Sequence, residues 1–294
     1  ANNPDFEKQL ELETALGSED KIMEYVLAIS QNGVDGEDGE AKMIEKVNAS
    51  KPKTSRATTK AFVTPRVDVS SESDIKSLKA FLEKNKLVLD ILINNAGIVQ
   101  GRRMTDQSLT PHHASFTVGV NCLSNFIMLH HLLPGMMSRK KGHIVTIAST
   151  MGMVPCGGLS DYNASKFGQV GMHNSVRLEL SRDCPEIRML LVCPHMIDTG
   201  MFDGTFESQD IGTRIAKLLI PLLRPEFVAK RVIDGIEQGD SWIVTPVLMR
   251  YLPVLFCLIP VELYHGVLGL IGSHSAMDTF RGRRPTAGKK NKES

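Results

Sequence analysis

Short apolar runs set at helix-length intervals constrain this chain more than any other feature in it. "EYVLAIS" (24–30), "KAFVTPRVDV" (60–69), "LVLDILIN" (87–94), "GHIVTIAS" (142–149) and "IRMLLVC" (187–193) are short runs centred on apolar residues, of strand length, with helix-length segments between them. They read as strands buried on both faces. Repetition of strand, helix and strand predicts an α/β fold, a doubly wound parallel sheet covered by helices on both sides, with any ligand at the carboxyl ends of the strands. The polar, lysine-rich "NASKPKTSRATTK" (48–60) reads as an enlarged surface loop before a strand.

Composition narrows the function classes. A chain of 294 residues that is 42% hydrophobic can bury a sizeable core. Its net charge of +1 gives no global reason to expect nucleic acid, and no basic stripe interleaved with aromatics runs through its body. The five cysteines, Cys122, Cys156, Cys184, Cys193 and Cys257, form no Cys-x-x-Cys pair, which suits free thiols in a reducing compartment and gives no metal site. The opening "ANNPDFEKQLELETALGSED" shows neither a basic n-region nor an apolar h-region.

Within "SDYNASKFG" (160–168), Tyr162 and Lys166 stand four apart, on one face of a helix. A free phenol titrates at roughly 10, and a neighbouring ammonium favours its ionised form, so this spacing can build a general acid/base. A chance surface pair accounts for the same spacing. Other residues converge on the pair. "NNAG" (94–97) follows a strand directly, and its Gly97 lets a ligand approach the backbone. Ser149 ends the strand "GHIVTIAS" thirteen residues before Tyr162, and Asn121 lies in the helical "VGVNCLSNF", where its amide could hold a relay water.

In that order and spacing these residues resemble the short-chain dehydrogenase/reductase family. The likeness covers about residues 25 to 280 and implies a Rossmann-type doubly wound sheet. It places the family's tetrad on Asn121, Ser149, Tyr162 and Lys166, and its strand-end motif on Asn94, Asn95, Ala96 and Gly97. "CPHMIDTGMF" is similar to the family's segment after a strand, which puts Pro194 and Thr199 against the nicotinamide carboxamide, with His195 where glycine is usual. "VDVS" nominates Asp68 and Val69 as adenine contacts. The cofactor-binding set is then Asp68, Val69, Asn94, Ala96, Gly97, Tyr162, Lys166, Pro194 and Thr199. "PHMIDTGMF", "LRPEFVAKRVIDGI" and the apolar carboxyl-terminal stretch resemble the retinol dehydrogenase and 17β-hydroxysteroid dehydrogenase branch, which implies endoplasmic reticulum or lipid-droplet membranes.

One expected part is not found. The family's Thr-Gly-x-x-x-Gly-x-Gly turn, whose backbone meets the pyrophosphate at a helix amino terminus, has no counterpart. "GVDGEDG" (33–39) spaces its glycines wrongly and carries Asp35, Glu37 and Asp38, which would repel phosphate. It reads as the turn after the second strand, "EYVLAIS", and "FEKQLELETAL" as the helix that follows the absent turn. The expectation is a sheet lacking its first strand, with unpaired neighbours, in a chain inactive as it stands or an incomplete product of an active enzyme. A catalytically inactive membrane protein that keeps the fold is the alternative. Ile29, Ser30 and Gln31 offer no acid for ribose hydroxyls, which favours NADP over NAD.

Residues 1–245 therefore read as the dehydrogenase domain and 246–294 as a membrane-associating segment with a basic tail. From Trp242 to Gly272 the chain is mostly apolar, but Arg250, Glu262, His265 and three prolines interrupt it, which suits an interfacial contact better than a span. A helix buried against the domain or against a second copy, as in a homodimer, fits the same pattern. Arg281, Arg283, Arg284, Lys289, Lys290 and Lys292 favour an anionic surface, and "KNKES" resembles a dilysine retrieval signal. The implied reaction is hydride exchange between NAD(P) and a lipophilic alcohol or carbonyl compound, a retinoid, steroid or fatty alcohol. Tyr162 moves the proton, Lys166 lowers its pKa and holds the ribose, Ser149 polarises the substrate oxygen and Asn121 supports a water relay. Residues 200–224 would form a lid.

Overall fold

The computed structural model describes residues 26–28, 67–205, 222–270 and 272–282. Five parallel strands lie side by side in chain order: β1 (Val26–Ala28), β2 (Ile91–Asn94), β3 (Gly142–Ile147), β4 (Ile187–Pro194) and β5 (Trp242–Thr245). The predicted alternation holds for "LVLDILIN", "GHIVTIAS" and "IRMLLVC". Of "KAFVTPRVDV" the described part, from Val67 on, is an extended entry and turn, not a strand. Trp242–Thr245, taken from sequence as the start of the apolar carboxyl-terminal region, is instead the fifth strand.

Strand register explains why both faces are apolar. Leu92, Ile144 and Met189 lie side by side across β2 to β4, and Ile93, Val145 and Leu190 occupy the next row. Because successive residues point to opposite faces, the first row enters one core cluster and the second another. The first cluster is closed by α1 (Glu72–Lys84), α3 (Ser124–Arg139) and α4 (Ser160–Asp183), and the second by α5 (Pro225–Gln238). Helices on both faces make this the doubly wound α/β sheet expected. Each fully buried aliphatic side chain in these layers is worth about 1.5–3 kcal/mol.

Two local details set up the site. Helix α1 begins where the Ser71 hydroxyl accepts a bond from Asp74 N, with Glu72 and Asp74 at its positive end. Helix α2 (Pro111–Val118) runs into α3 through one π-helical turn, Gly119–Leu123, which carries Asn121. The run Pro111–Arg139 is long and apolar enough to cross a membrane by length and composition, yet Val120, Met128, Leu129, Leu132 and Met136 are buried in the core. It is a core helix.

Val26–Ala28 pairs with Ile91–Ile93 of β2. A neighbour from within the chain therefore fills the ladder position that the sequence reading left unpaired, satisfying N–H and C=O groups of a buried strand. The predicted "GVDGEDG" turn, the "FEKQLELETAL" helix, the "NASKPKTSRATTK" loop, Ile29–Gln31 and the tail from Arg283 onward lie outside the described residues. After β5 the chain turns through Val247–Arg250 into α6 (Leu252–Leu258) and α7 (Val261–Leu270). Met249, Tyr264 and Leu268 pack against the domain, while many neighbouring apolar side chains face outward.

Candidate active site

Four chain segments meet at the carboxyl ends of β2, β3 and β4. From α4, Tyr162 and Lys166 point into the molecule, 4% and 3% exposed, so the pair is no surface accident. The ammonium lies 5.6 Å from the centroid of the Tyr162 ring and donates to Ile147 O at 3.2 Å. Ser149 follows β3; its hydroxyl caps the short Thr150–Gly152 turn by accepting from Met151 N at 3.1 Å, and donates to Pro194 O at 3.4 Å. The Ser149 side chain acts on the Tyr162 phenol and favours its ionised form.

The protonation states differ from the simple expectation. Burial pushes the Tyr162 phenol up to about 12, with the Ser149 side chain opposing it. Burial also holds Lys166 down at about 8, the thiols of Cys193 and Cys122 acting the other way. The net shift of Tyr162 is upward, with desolvation of the phenolate as its largest cause, and the Lys166 ammonium faces the ring. At neutral pH Tyr162 is a protonated donor.

Asn121 is wholly buried. Its Oδ1 accepts from Ile98 N at 2.7 Å, while Nδ2 donates to Ile98 O at 2.9 Å and to Ser165 Oγ at 3.0 Å. Both amide hydrogens are thus committed to protein, so the side chain clamps the loop after β2 and does not donate to a relay water. Gly97, on that loop, turns its open side toward Asn121 Oδ1 and Lys166 Nζ. Asn94 is buried, with an Nδ2 that has no partner. Asp68 and Val69 stand in the turn before α1: the Asp68 carboxylate accepts from Ser70 N and Ser70 Oγ, and Val69 is buried in the core. Pro194 ends β4 beside Ser149, and Thr199 lies in the following loop, half-buried, its N donating to Ile197 O. Asn94, Ala96, Gly97, Asn121, Ser149, Tyr162, Lys166 and Pro194 therefore gather at one sheet end; Asp68, Val69 and Thr199 flank it.

Several positioning residues escaped the sequence reading. Ser165 accepts from Asn121 and donates to Tyr162 O at 2.7 Å. Asn163 donates to Met151 O at 2.8 Å and Val154 O at 3.1 Å, pinning the loop after Ser149 to α4. Both sit inside "YNASK", where their polarity on a buried helix face was the available signal. His195 Nδ1 pairs with Thr150 Oγ1 at 2.9 Å, and burial lowers its pKa to about 4. Among the described residues no group of histidines, cysteines and carboxylates could hold a metal.

The family model described as short chain dehydrogenase matches residues 38–210. The chain belongs to the short-chain dehydrogenase family. Among its relatives, retinol dehydrogenase 10-B of Danio rerio is 35% identical over 67% of this chain and 56% of its own length. Retinol dehydrogenase 10 of Homo sapiens is 31% identical over 75% of this chain and 63% of its own. The chain thus spans about three-fifths of the length of these relatives. An alcohol dehydrogenase from the archaeon Thermococcus sibiricus complexed with 5-hydroxy-NADP has a similar fold, with a TM-score of 0.60 at 17% identity over 79% of this chain and 88% of that one. A 4-hydroxyisoleucine dehydrogenase complexed with NADH has a TM-score of 0.53 at 23% identity over 63% and 79%.

Proposed function

We propose that this chain carries the catalytic site of a nicotinamide-dependent oxidoreductase that interconverts a lipophilic alcohol and its carbonyl compound. The observation that carries the reading is the buried Ser149–Tyr162–Lys166 cluster at the strand ends, with the Lys166 ammonium 5.6 Å from the centroid of the Tyr162 ring. The residues present fit the nicotinamide half of such a cofactor: Lys166 would meet the ribose, Ala96 and Gly97 offer open backbone beside it, and Pro194 and Thr199 would bound the carboxamide. Asp68 and Val69 would face the adenine end. The bound nicotinamide supplies or accepts the hydride. Tyr162 Oη gives its proton to the carbonyl oxygen, or takes one from the alcohol in reverse, and Ser149 Oγ orients that oxygen. Lys166 stabilises the phenolate left behind, and Asn121 fixes the Ile98 loop against the same helix. NADP is favoured over NAD because the sequence offers no acid at Ile29–Gln31.

Supporting a lipophilic substrate, Tyr162 sits among apolar side chains, with the Phe202 ring edge-on at 5.7 Å. The relatives named retinol dehydrogenase favour a retinoid among such substrates. We assign the outward apolar faces of α6 and α7 to a membrane surface, with endoplasmic reticulum or lipid droplet as the compartment and a homodimer as the assembly. The test of the catalytic reading is Tyr162→Phe. Turnover of a retinoid or long-chain alcohol should be abolished while calorimetric binding of NADPH is nearly unchanged, and retention of most activity would refute it.

A further inference from the structure

The sequence reading placed the cover of the site at residues 200–224. The described part of that segment is itself held from above by residues near the carboxyl terminus. Thr279 Oγ1 donates to Gly204 O at 2.6 Å, and the amides of Arg281 and Gly282 donate to Asp203 O at 2.9 and 3.1 Å. On the opposite side Arg103 Nη1 meets Asp278 Oδ1 at 2.6 Å. The segment Ser275–Arg281 therefore bridges two loops that flank the catalytic tyrosine.

Its inward side chains reach the site. Met277 joins Tyr162 and Leu159 in one buried cluster, and Phe280, Phe202 and Cys156 pack against it. The fit is close: a methyl group added at Gly101 would collide with the Phe280 ring, and one added at Gly158 would stand 2.8 Å from Met277 Cβ. Tyr162 is only 4% exposed, with Met277 in its own buried cluster and Phe280 packed against it.

We propose that Ser275–Arg281 is a strap that must leave its seat to admit substrate, and that Met277 and Phe280 set the size and shape of the apolar substrate that can take their place. This rests on the oxidoreductase reading of the same site. The strap is held by two kinds of contact of unequal worth. The Arg103–Asp278 pair is about half exposed at both partners and contributes little alone, whereas Phe280, packed on Gly101 and against the Tyr162 cluster, adds apolar burial. A hydrocarbon chain or ring that occupies the same apolar volume recovers that burial, and a small polar alcohol does not.

Cys156 reports the strap directly. Its Sγ lies 3.5 Å from Ser273 O, at the root of the strap, and burial raises its pKa to about 12. We would measure alkylation of the full chain by N-ethylmaleimide at one alkaline pH, without cofactor or substrate, and read Cys156 by peptide mass spectrometry. Cys193, fully buried in β4, serves as the folding control. Phe280→Ala should speed Cys156 labelling about tenfold and Asp278→Asn about two- to threefold, with Cys193 still protected. Phe280→Ala should also shift kcat/KM toward bulkier alcohols. Cys156 labelling in Phe280→Ala within about twofold of the parent, with Cys193 protected, overturns the strap. A chain that turns over no alcohol but labels as expected overturns the oxidoreductase reading and leaves the strap standing as a cover. If Phe280→Ala exposes Cys193, the milder Met277→Ala replaces it under the same criterion.

Discussion

Asn121 and Ile98 are hydrogen-bonded in both directions, the side-chain amide of one pairing with the backbone N–H and C=O of the other as a neighbouring strand would. The third bond, to Ser165, ties this pair to α4 one residue before Lys166. The π-helical turn at Gly119–Leu123 places Asn121 where it can reach all three partners. Its amide thus joins the end of β2 to the catalytic helix.

Asn121→Leu removes those bonds and leaves the Ile98 backbone groups without that partner in a half-buried loop. Such groups cost about 1–3 kcal/mol apiece, so the variant should lose about 2–4 kcal/mol of stability. Urea unfolding at neutral pH measures it. A loss below about 1 kcal/mol would show that the clamp is dispensable.

Three histidines make the fold sensitive to acid. His143, His173 and His195 are buried, and burial lowers each pKa to about 4, helped at His143 by Arg188 and at His173 by Arg177. Between about pH 6.5 and 4 the unfolded chain binds protons that the folded chain refuses, so stability falls as pH drops through that window and is fully present above it. The melting temperature should drop markedly from pH 7.5 to pH 5. His173→Gln, which keeps a polar group beside Thr146 Oγ1 but cannot titrate, should flatten part of the drop. Equal slopes for variant and parent would remove His173 from the account.

The sequence makes the sheet legible because buried parallel strands are short apolar runs, and β2, β3 and β4 are read with their flanking motifs. Tyr162, Lys166 and Ser149 are legible for a related reason, since chemistry demands those side chains at fixed spacings. The pairing of Val26–Ala28 with β2 is not, because an aliphatic run carries no mark of its neighbour. Nor is the strap: "SAMDTFR" has no period, and its importance lies in where Met277 and Phe280 land. Burial dominates the Tyr162 pKa, and burial is a property of the whole fold that Tyr-x-x-x-Lys spacing does not encode.

Gln169 tests how the interior beneath Lys166 is built. It is fully buried on α4, and neither amide atom has a protein partner; four residues on, His173 Nε2 is also unpartnered. A buried amide without partners costs about 1–3 kcal/mol, so Gln169→Leu, similar in volume, should be neutral or should raise stability by about 1 kcal/mol. A loss above about 1 kcal/mol would instead show that bridging water satisfies the amide.

Lys166 predicts a pH limit for the proposed carbonyl reduction. With its pKa held near 8, the ammonium is present at pH 7 and disappears above pH 8, while Tyr162, near 12, remains a donor throughout. The value of kcat/KM for reduction, which reports the free protein, should fall above about pH 8. A flat profile to about pH 9.5 would show that another group sets the alkaline limit.

The carboxyl-terminal helices supply the last prediction. Tyr264 and Leu268 face inward with Met249, whereas Leu258 and Leu270 are 75% and 74% exposed, and Val254, Val261 and Leu263 also point outward. Trp242 and Arg250, stacked at 5.0 Å, border this surface with the aromatic and cationic groups that suit a headgroup layer. Inserting one leucine into lipid is worth about 1.5–3 kcal/mol, so three together suffice for reversible binding. Removing residues 246–294 would also strip Met249, Tyr264 and Leu268 from the core, so point substitutions make the cleaner experiment. Leu258→Glu, Leu263→Glu and Leu270→Glu combined should leave the melting temperature nearly unchanged, because none of the three is buried, and should reduce flotation with phosphatidylcholine–phosphatidylserine vesicles by about tenfold or more. If the triple variant floats as the parent does, these helices do not dock on lipid, and the outward face belongs to a protein contact.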